Sequence, residues 1–205
     1  MEAQKIIITG GATRIGAAIA EQLSGFKIQI VIQYNMSRAK GELLKKKLEK
    51  KGSKIYLIKA DLRKEKDVKK IVKFAKTKMG YLDCLINNAS VFDNDKIENF
   101  NSKSWNNHLD ANLKAPAILS KEFSKHVMKG NNNIINIIDQ RVFKLTPHFF
   151  SYTLSKAGLY TMTKTSAMSF APNIRVNGIA PGPTIRNKRQ SNSHFKKQYL
   201  ATPLR

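Results

Sequence analysis

Runs of isoleucine, valine and leucine without polar alternation recur between amphipathic segments along almost the whole chain, and this pattern constrains the fold more than any other feature. Extended runs are predicted at Lys5–Thr9, Ile28–Tyr34, Lys54–Lys59, Leu82–Asn87, Asn133–Ile138 and Ile174–Ile179. Helices are predicted at about 15–24, 38–51, 64–78, 103–129 and 152–170. Strands that lack polar alternation are covered on both faces, and the strand–helix–strand order is that of a parallel sheet. Within 64–78 and its end, Val68, Ile71, Val72, Ala75 and Met79 fall on one helical face, as Leu43, Leu44 and Leu48 do within 38–51. A sheet of this kind binds its ligands beyond the carboxyl ends of the strands, where the strand order reverses.

The 205 residues fit one domain, 1–205, able to bury a core of its own. No repeat or linker divides it, and Asn131-Asn-Asn133 reads as a short polar turn. No stretch approaches the ~18 consecutive apolar residues of a membrane span. The strand pattern begins at Lys5, so no leader peptide is expected. A single cysteine, Cys84, excludes a disulfide framework and a cysteine zinc site and suits a reducing cytoplasm. The histidines at 108, 126, 148 and 194 show no ligand-like spacing, so no metal site is expected. The net charge of +23 invites a nucleic-acid reading. Much of that charge, however, is lysine on the outward faces of the amphipathic helices, without interleaved aromatics or a recognition motif. With the abundance of Asn and Ile, this is the bias AT-rich coding would produce. Attraction of anionic ligands is its expected by-product.

Chemistry is signalled first by Thr9-Gly-Gly-Ala-Thr-Arg-Ile-Gly16, which follows the first strand and opens the first helix. Gly10 and Gly16 let backbone approach a pyrophosphate, and Thr13, Arg14 and Ile15 lie at the helix N-terminus, where unpaired N–H groups favour an anion. No acid ends the second strand; Asn35, Ser37 and Arg38 follow it instead. An acid there would bind a free ribose 2′-hydroxyl and repel a 2′-phosphate, so Ser37, Arg38 and Arg14 favour NADP(H) over NAD(H). Asp61, after the third strand, is placed either to accept from an adenine amino group or to cap the following helix.

A second signal is Tyr152 four residues before Lys156, one helical turn apart on one face. An ammonium close to a phenol lowers its pKa, as proton transfer requires. Asp139 ends the fifth extended run and is placed to meet that helix at the strand's carboxyl end. Pro116 cannot donate to the carbonyl of Asn112, so the helix 103–129 should kink there and leave that carbonyl free to hold a water linking Lys156 to solvent.

Taken in order, the glycine loop, Ala60-Asp-Leu62, Asn87-Asn-Ala89, Asn112, Tyr152-x-x-x-Lys156, Arg175-Val-Asn177 and Pro181-Gly182 resemble the motif series of the short-chain dehydrogenase/reductase family. The resemblance implies a Rossmann-like, doubly wound α/β sheet with helices on both faces. It implies cofactor contacts at Leu62, Asn88, Ala89, Pro181, Gly182 and Thr184, a strand brace at Asn87, a ribose contact at Lys156 and proton exchange at Tyr152. It also implies a dimer surface on helices 103–129 and 152–170. Where the family usually has serine this chain has Asp139. With Arg14 in the loop and Ser90 and Phe92 after the fourth strand, that resembles the pteridine reductase and dihydromonapterin reductase branch. Substrate contacts are then expected at Arg14, Ser90, Phe92, Asp139 and Tyr152, with Phe92 stacking on a flat pterin. Family members continue into one more helix and strand. Ile174–Ile179 is therefore expected at a sheet edge, with 185–205 as a mobile polar lid. The competing expectation is a catalytically impaired member that binds NADP(H) or a partner.

Overall fold

The computed structural model describes residues 3–128, 130, 132–186 and 191–202. Six strands, β1 (Gln4–Ile8), β2 (Ile28–Tyr34), β3 (Lys54–Lys59), β4 (Cys84–Asn87), β5 (Asn132–Ile137) and β6 (Ile174–Ile179), form one sheet in the order β3-β2-β1-β4-β5-β6. All neighbouring pairs are parallel, with Ile7 opposite Val31 on one side and Leu85 on the other. The order reverses between β1 and β4, which opens a crevice at the carboxyl ends of the two strands.

Because alternate strand residues point to opposite faces, the chain builds two cores. Ile7, Val31, Leu85, Ile134 and Val176 face α3 (Glu65–Met79), α5 (Ala115–Ser124) and the end of α6 (Phe150–Phe170). Ile6, Ile8, Ile30, Ile32, Ile86 and Ile137 face α1 (Arg14–Leu23) and α2 (Arg38–Glu49), which contribute Ala20, Leu44 and Leu48. Helix α3 shows what holds these elements. Its lysines are good helix formers, but a helix of this length is marginal alone in water; five of its apolar residues are buried, and full burial of one large aliphatic side chain stabilises by about 1.5–3 kcal/mol. It stops at Gly80, whose φ of 82° lies in the left-handed region that glycine tolerates.

One expectation from the sequence is corrected. The segment 103–129 is not one helix. It comprises α4 (Ser102–Leu109), a π-helical turn at Asp110–Lys114 and α5, and the helix ends at Ser124. Pro116 has no N–H for the carbonyl of Asn112; just before it the ladder widens, with the Ala115 N–H donating to Asp110. The segment after 185, expected as a polar lid, includes a helix. Asn192–Leu200, free of Gly and Pro, forms helix α7, with the Phe195 N–H donating to the Ser191 carbonyl at 3.1 Å. The remainder of 185–205, at residues 187–190 and 203–205, and the turn residue Asn131 lie outside the described residues. Strand β6 ends the described sheet as expected, and its Arg175, Asn177 and Ile179 are exposed.

Candidate active site

The carboxyl ends of β1, β4 and β5 and the N-termini of α1 and α6 surround a cavity of about 1060 Å³. One end is built by the turn after β1. The Thr9 hydroxyl accepts from the N–H groups of Asn88 and Ala89, both at 3.0 Å, and the Asn88 amide donates to the carbonyls of Thr9 (2.8 Å) and Gly10 (3.3 Å). The Gly10 N–H is held by Gln33, which donates in turn to the Ala60 carbonyl at 2.7 Å. No side chain fits at the glycines so pinned. A Cβ on Gly16 would lie 2.5 Å from the Gly10 carbonyl oxygen, and one on Gly10, whose φ is 60°, would lie 2.9 Å from Ala89 Cα. Helix α1 therefore begins hard against the strand ends. Thr13, at its N-cap, makes no side-chain cap bond and its first turn holds no acid, so this helix end is open to an anion. Arg14 adopts a φ of 53° and reaches over the cavity to donate to the Ile185 carbonyl at 3.0 Å.

Gly10, Thr13, Arg14, Ile15, Gly16, Asn35, Asp61, Leu62, Asn88, Ala89, Pro181, Gly182 and Thr184 all line the cavity. Ser37 and Arg38 do not line it. They stand beyond Asn35 and Met36 at the N-terminus of α2, a helix with no acid in its first turn and no side-chain cap bond from Ser37. Asp61 is not a helix cap. Arg63 grips its carboxylate from Nε and Nη2 at 2.9 and 2.7 Å and from its backbone N–H at 3.0 Å, which holds the Asp61 carboxyl below its ordinary range. The nearest N-cap residue of α3 is Lys64.

At the other end, Asp139, Tyr152 and Lys156 meet at the cavity wall. The Tyr152 hydroxyl donates to Asp139 Oδ2 at 2.7 Å, while Asp139 Oδ1 accepts the Arg141 N–H at 2.9 Å and so fixes the carboxylate. Lys156 is 2% exposed, and its Nζ donates to the Ile137 carbonyl at 2.8 Å. The sequence predicted a phenol acidified by this lysine; in the structure burial and the Asp139 charge push its pKa well above the ordinary value, with Arg141 and Ser90 opposing weakly. The reason is directional: the ammonium turns to a strand carbonyl, and the partner of the phenol is an anion. Burial also pushes the Lys156 ammonium down to about 8, against the pull of Asp139.

Asn112 is fully buried and serves as a clamp. Its Oδ1 accepts from the Val91 N–H (2.8 Å) and the Ser90 hydroxyl (3.2 Å), and its amide donates to the Val91 carbonyl (2.9 Å) and Ser155 (3.0 Å). Asn87 bonds Asn136 at 2.8 Å, which continues to Thr163 at 2.9 Å, the strand brace implied by the resemblance. Phe92 is not the open platform expected. Phe149 stacks on it with ring centroids 4.3 Å apart and planes 2° from parallel, and Tyr152 meets it edge-on at 4.6 Å. The Arg141 guanidinium lies 4.5 Å from the Phe149 ring centre, in cation–π range. Phe149 and Arg141 were not singled out from the sequence, and no local pattern marks either.

A doubly wound sheet with a glycine-cradled helix N-terminus and a buried tyrosine–lysine pair on one cavity defines a nucleotide-dependent oxidoreductase. The chain belongs to the short chain dehydrogenase family, whose model matches residues 4–196. Among its relatives, glucose 1-dehydrogenase 2 of Bacillus subtilis is 31% identical over 94% of this chain and 75% of its own length. An uncharacterized oxidoreductase of Thermotoga maritima is 32% identical over 98% of this chain and 78% of its own. Among solved structures, FolM alternative dihydrofolate reductase 1 from Brucella canis, complexed with NADP, is 42% identical with a TM-score of 0.91, covering 97% of this chain and 79% of that one. The same enzyme from Brucella suis, also with NADP, is 41% identical with a TM-score of 0.92, covering 98% and 81%.

Proposed function

We propose that the chain is an NADPH-dependent reductase of a pterin-type C=N bond, with Tyr152 as proton donor. The observation that carries the substrate reading is the Tyr152–Asp139 hydrogen bond at the cavity wall, with an acid where the family usually has serine. The cofactor is NADP(H). The cradle at Gly10 and Gly16 and the open start of α1 suit its pyrophosphate, while Asn35, Ser37 and Arg38 suit a 2′-phosphate and give no carboxylate to repel it. Of the residues that line the cavity, Leu62 and Asp61 would hold the adenine, and Ala89, Pro181, Gly182, Thr184 and Lys156 the nicotinamide half. When bound, NADPH supplies the hydride. The chain's own residues supply the proton. A buried phenol held protonated is an acid in waiting, but its hydrogen points at a carboxylate. Tyr152 releases it toward substrate when Asp139 carries a proton of its own, so Asp139 reloads the phenol and Tyr152 delivers. The Asn112 carbonyl, which Pro116 cannot bond, offers an acceptor for a water between Lys156 and solvent. Arg14 and Ser90 border the polar edge of a flat heterocycle, and Phe92 with Phe149 forms its aromatic wall.

The relatives named FolM alternative dihydrofolate reductase support this reading by identity and by the NADP they hold. A homodimer through α4–α5 and α6 belongs to the same proposal, with Leu154 and Met168 exposed on α6, as does a cytoplasmic location. The test is NADPH-dependent reduction of dihydrobiopterin by the purified chain. Tyr152→Phe should lower the rate about 10²–10⁴-fold, and an unchanged rate sinks the assignment.

A further inference from the structure

Next to the proton-handling residues, three polar side chains lie buried in a row and have no part in the chemistry above. Asp95 is 4% exposed, and His108 and Ser151 are 0% exposed. They come from the loop after β4, from α4 and from the start of α6. The Asp93 N–H donates to His108 Nε2 at 3.0 Å. A backbone N–H can only donate, so Nε2 is bare and Nδ1 carries the imidazole hydrogen. Nδ1 lies 2.7 Å from Ser151 Oγ, and the Ser151 hydroxyl donates to Asp95 Oδ2. Asp95 Oδ1 accepts the Ser151 N–H at 3.1 Å, which closes the chain. Every hydrogen in it then has one direction. Desolvation favours the neutral ring and outweighs the pull of Asp95, Asp93 and the Ser104 backbone toward the charged one.

The same loop grips the turn just ahead of Tyr152. Asn94 Oδ1 accepts the Phe149 N–H at 3.2 Å, and the Asp95 carbonyl accepts the Phe150 N–H at 3.1 Å. Phe149 has a φ of 61°, a left-handed conformation that a bulky residue keeps only when its surroundings hold it. That conformation presents its ring to Phe92, and His108 itself packs edge-on against Tyr152 at 5.9 Å.

We infer that Asp95, His108 and Ser151 form a positioning chain that fixes the Phe92–Phe149 wall and the Tyr152 phenol relative to the substrate. The inference rests on the reading above, in which that wall receives the substrate. Neutral His108 joins the loop to the helix because it presents one acceptor and one donor. A side chain lacking either removes the acceptor of the Asp93 N–H or the donor to the Ser151 oxygen and loosens the turn at Phe149.

The experiment compares wild type with His108→Leu, Ser151→Ala and His108→Gln, the last keeping one donor and one acceptor. For dihydrobiopterin with NADPH, His108→Leu and Ser151→Ala should raise KM about 5–100-fold, the range of one buried polar group left unpaired. His108→Gln should recover most of that loss, and NADPH Kd should stay within about twofold in all three. An unchanged KM in folded His108→Leu or Ser151→Ala overturns the inference, as does a parallel rise in NADPH Kd, which marks a general loss of packing. Amide hydrogen exchange at Phe149–Tyr152 gives a readout independent of turnover. Faster exchange in Ser151→Ala than in wild type and His108→Gln supports the chain, and equal exchange in all overturns it. Should wild type fail to reduce dihydrobiopterin, the substrate reading falls alone, and the exchange result still decides the positioning chain.

Discussion

Replacing Asp139 by asparagine keeps the shape of the side chain and inverts its hydrogen bonding, so it separates the proposed proton path from simple packing. The carboxylate accepts twice, from the Tyr152 hydroxyl at 2.7 Å and from the Arg141 N–H at 2.9 Å. An amide has one acceptor oxygen, and the Arg141 N–H claims it because a backbone N–H cannot reverse. The amide NH₂ then faces the phenol as a donor. Tyr152 keeps its hydrogen, now free to point at substrate, and loses the group that reloads it. Removing the carboxylate charge also lets the phenol pKa fall and removes the attraction that holds the Lys156 ammonium up. Positioned acid catalysis contributes about 10²–10⁴-fold, equivalent to about 3–5 kcal/mol of barrier. Asp139→Asn should therefore lower steady-state kcat by roughly that factor and leave NADPH Kd unchanged. Steady-state NADPH oxidation, with a fluorescence titration of NADPH beside it, measures both. A variant with the wild-type kcat would refute Asp139 as the proton source.

Three further outcomes follow from the same geometry. Lys156 titrates near 8 in the folded chain against 10.5 ordinarily, so between those values the unfolded chain binds more protons and stability rises with pH. Tyr152 is shifted upward and reverses the trend once an ordinary phenol ionises above about 10, so denaturant unfolding should show a gain of about 2–3 kcal/mol from pH 8 to 10 that Lys156→Met lacks. Gly16→Ala places a Cβ 2.5 Å from the Gly10 carbonyl oxygen, a backbone atom that cannot swing aside. It should cost about 1–3 kcal/mol in thermal or chemical unfolding and weaken NADPH binding, and an unaltered melt would show that the cradle is looser than it looks. Arg38→Ala should weaken NADPH about tenfold in a fluorescence titration and leave NADH affinity as it was, since only a 2′-phosphate draws on that guanidinium; equal loss for both cofactors would remove Arg38 from the phosphate site.

The parts of this molecule that were legible in the sequence are those whose causes are local. Strands β2, β3 and β6 fall on the expected spans because each is a short segment rich in Ile, Val, Leu or Tyr, bounded by turns or helices. The glycine loop was legible because Gly10 and Gly16 answer a local demand for backbone approach. Strand β4 is shorter than its apolar run: the Leu82 N–H bonds the His126 carbonyl outside the sheet, and pairing with β1 and β5 begins at Cys84. Helical spacing put Tyr152 and Lys156 on one face, but it cannot say that the ammonium bonds Ile137 and the phenol bonds Asp139. What stayed hidden depends on distant meetings. Phe149 covers Phe92 across 57 positions of sequence, and His108 meets Ser151 across 43, so neither pair leaves a trace in local spacing. The grip of Arg63 on Asp61, two residues apart, could have been anticipated as a local Asx turn.

Oxidation of NADPH, with NADH alongside, against dihydrobiopterin, dihydrofolate and simple carbonyls decides whether the chain is a pterin reductase. Turnover of the dihydropterins, with NADPH favoured over NADH, is the expected result. Turnover confined to simple carbonyls, or a preference for NADH, would contradict it.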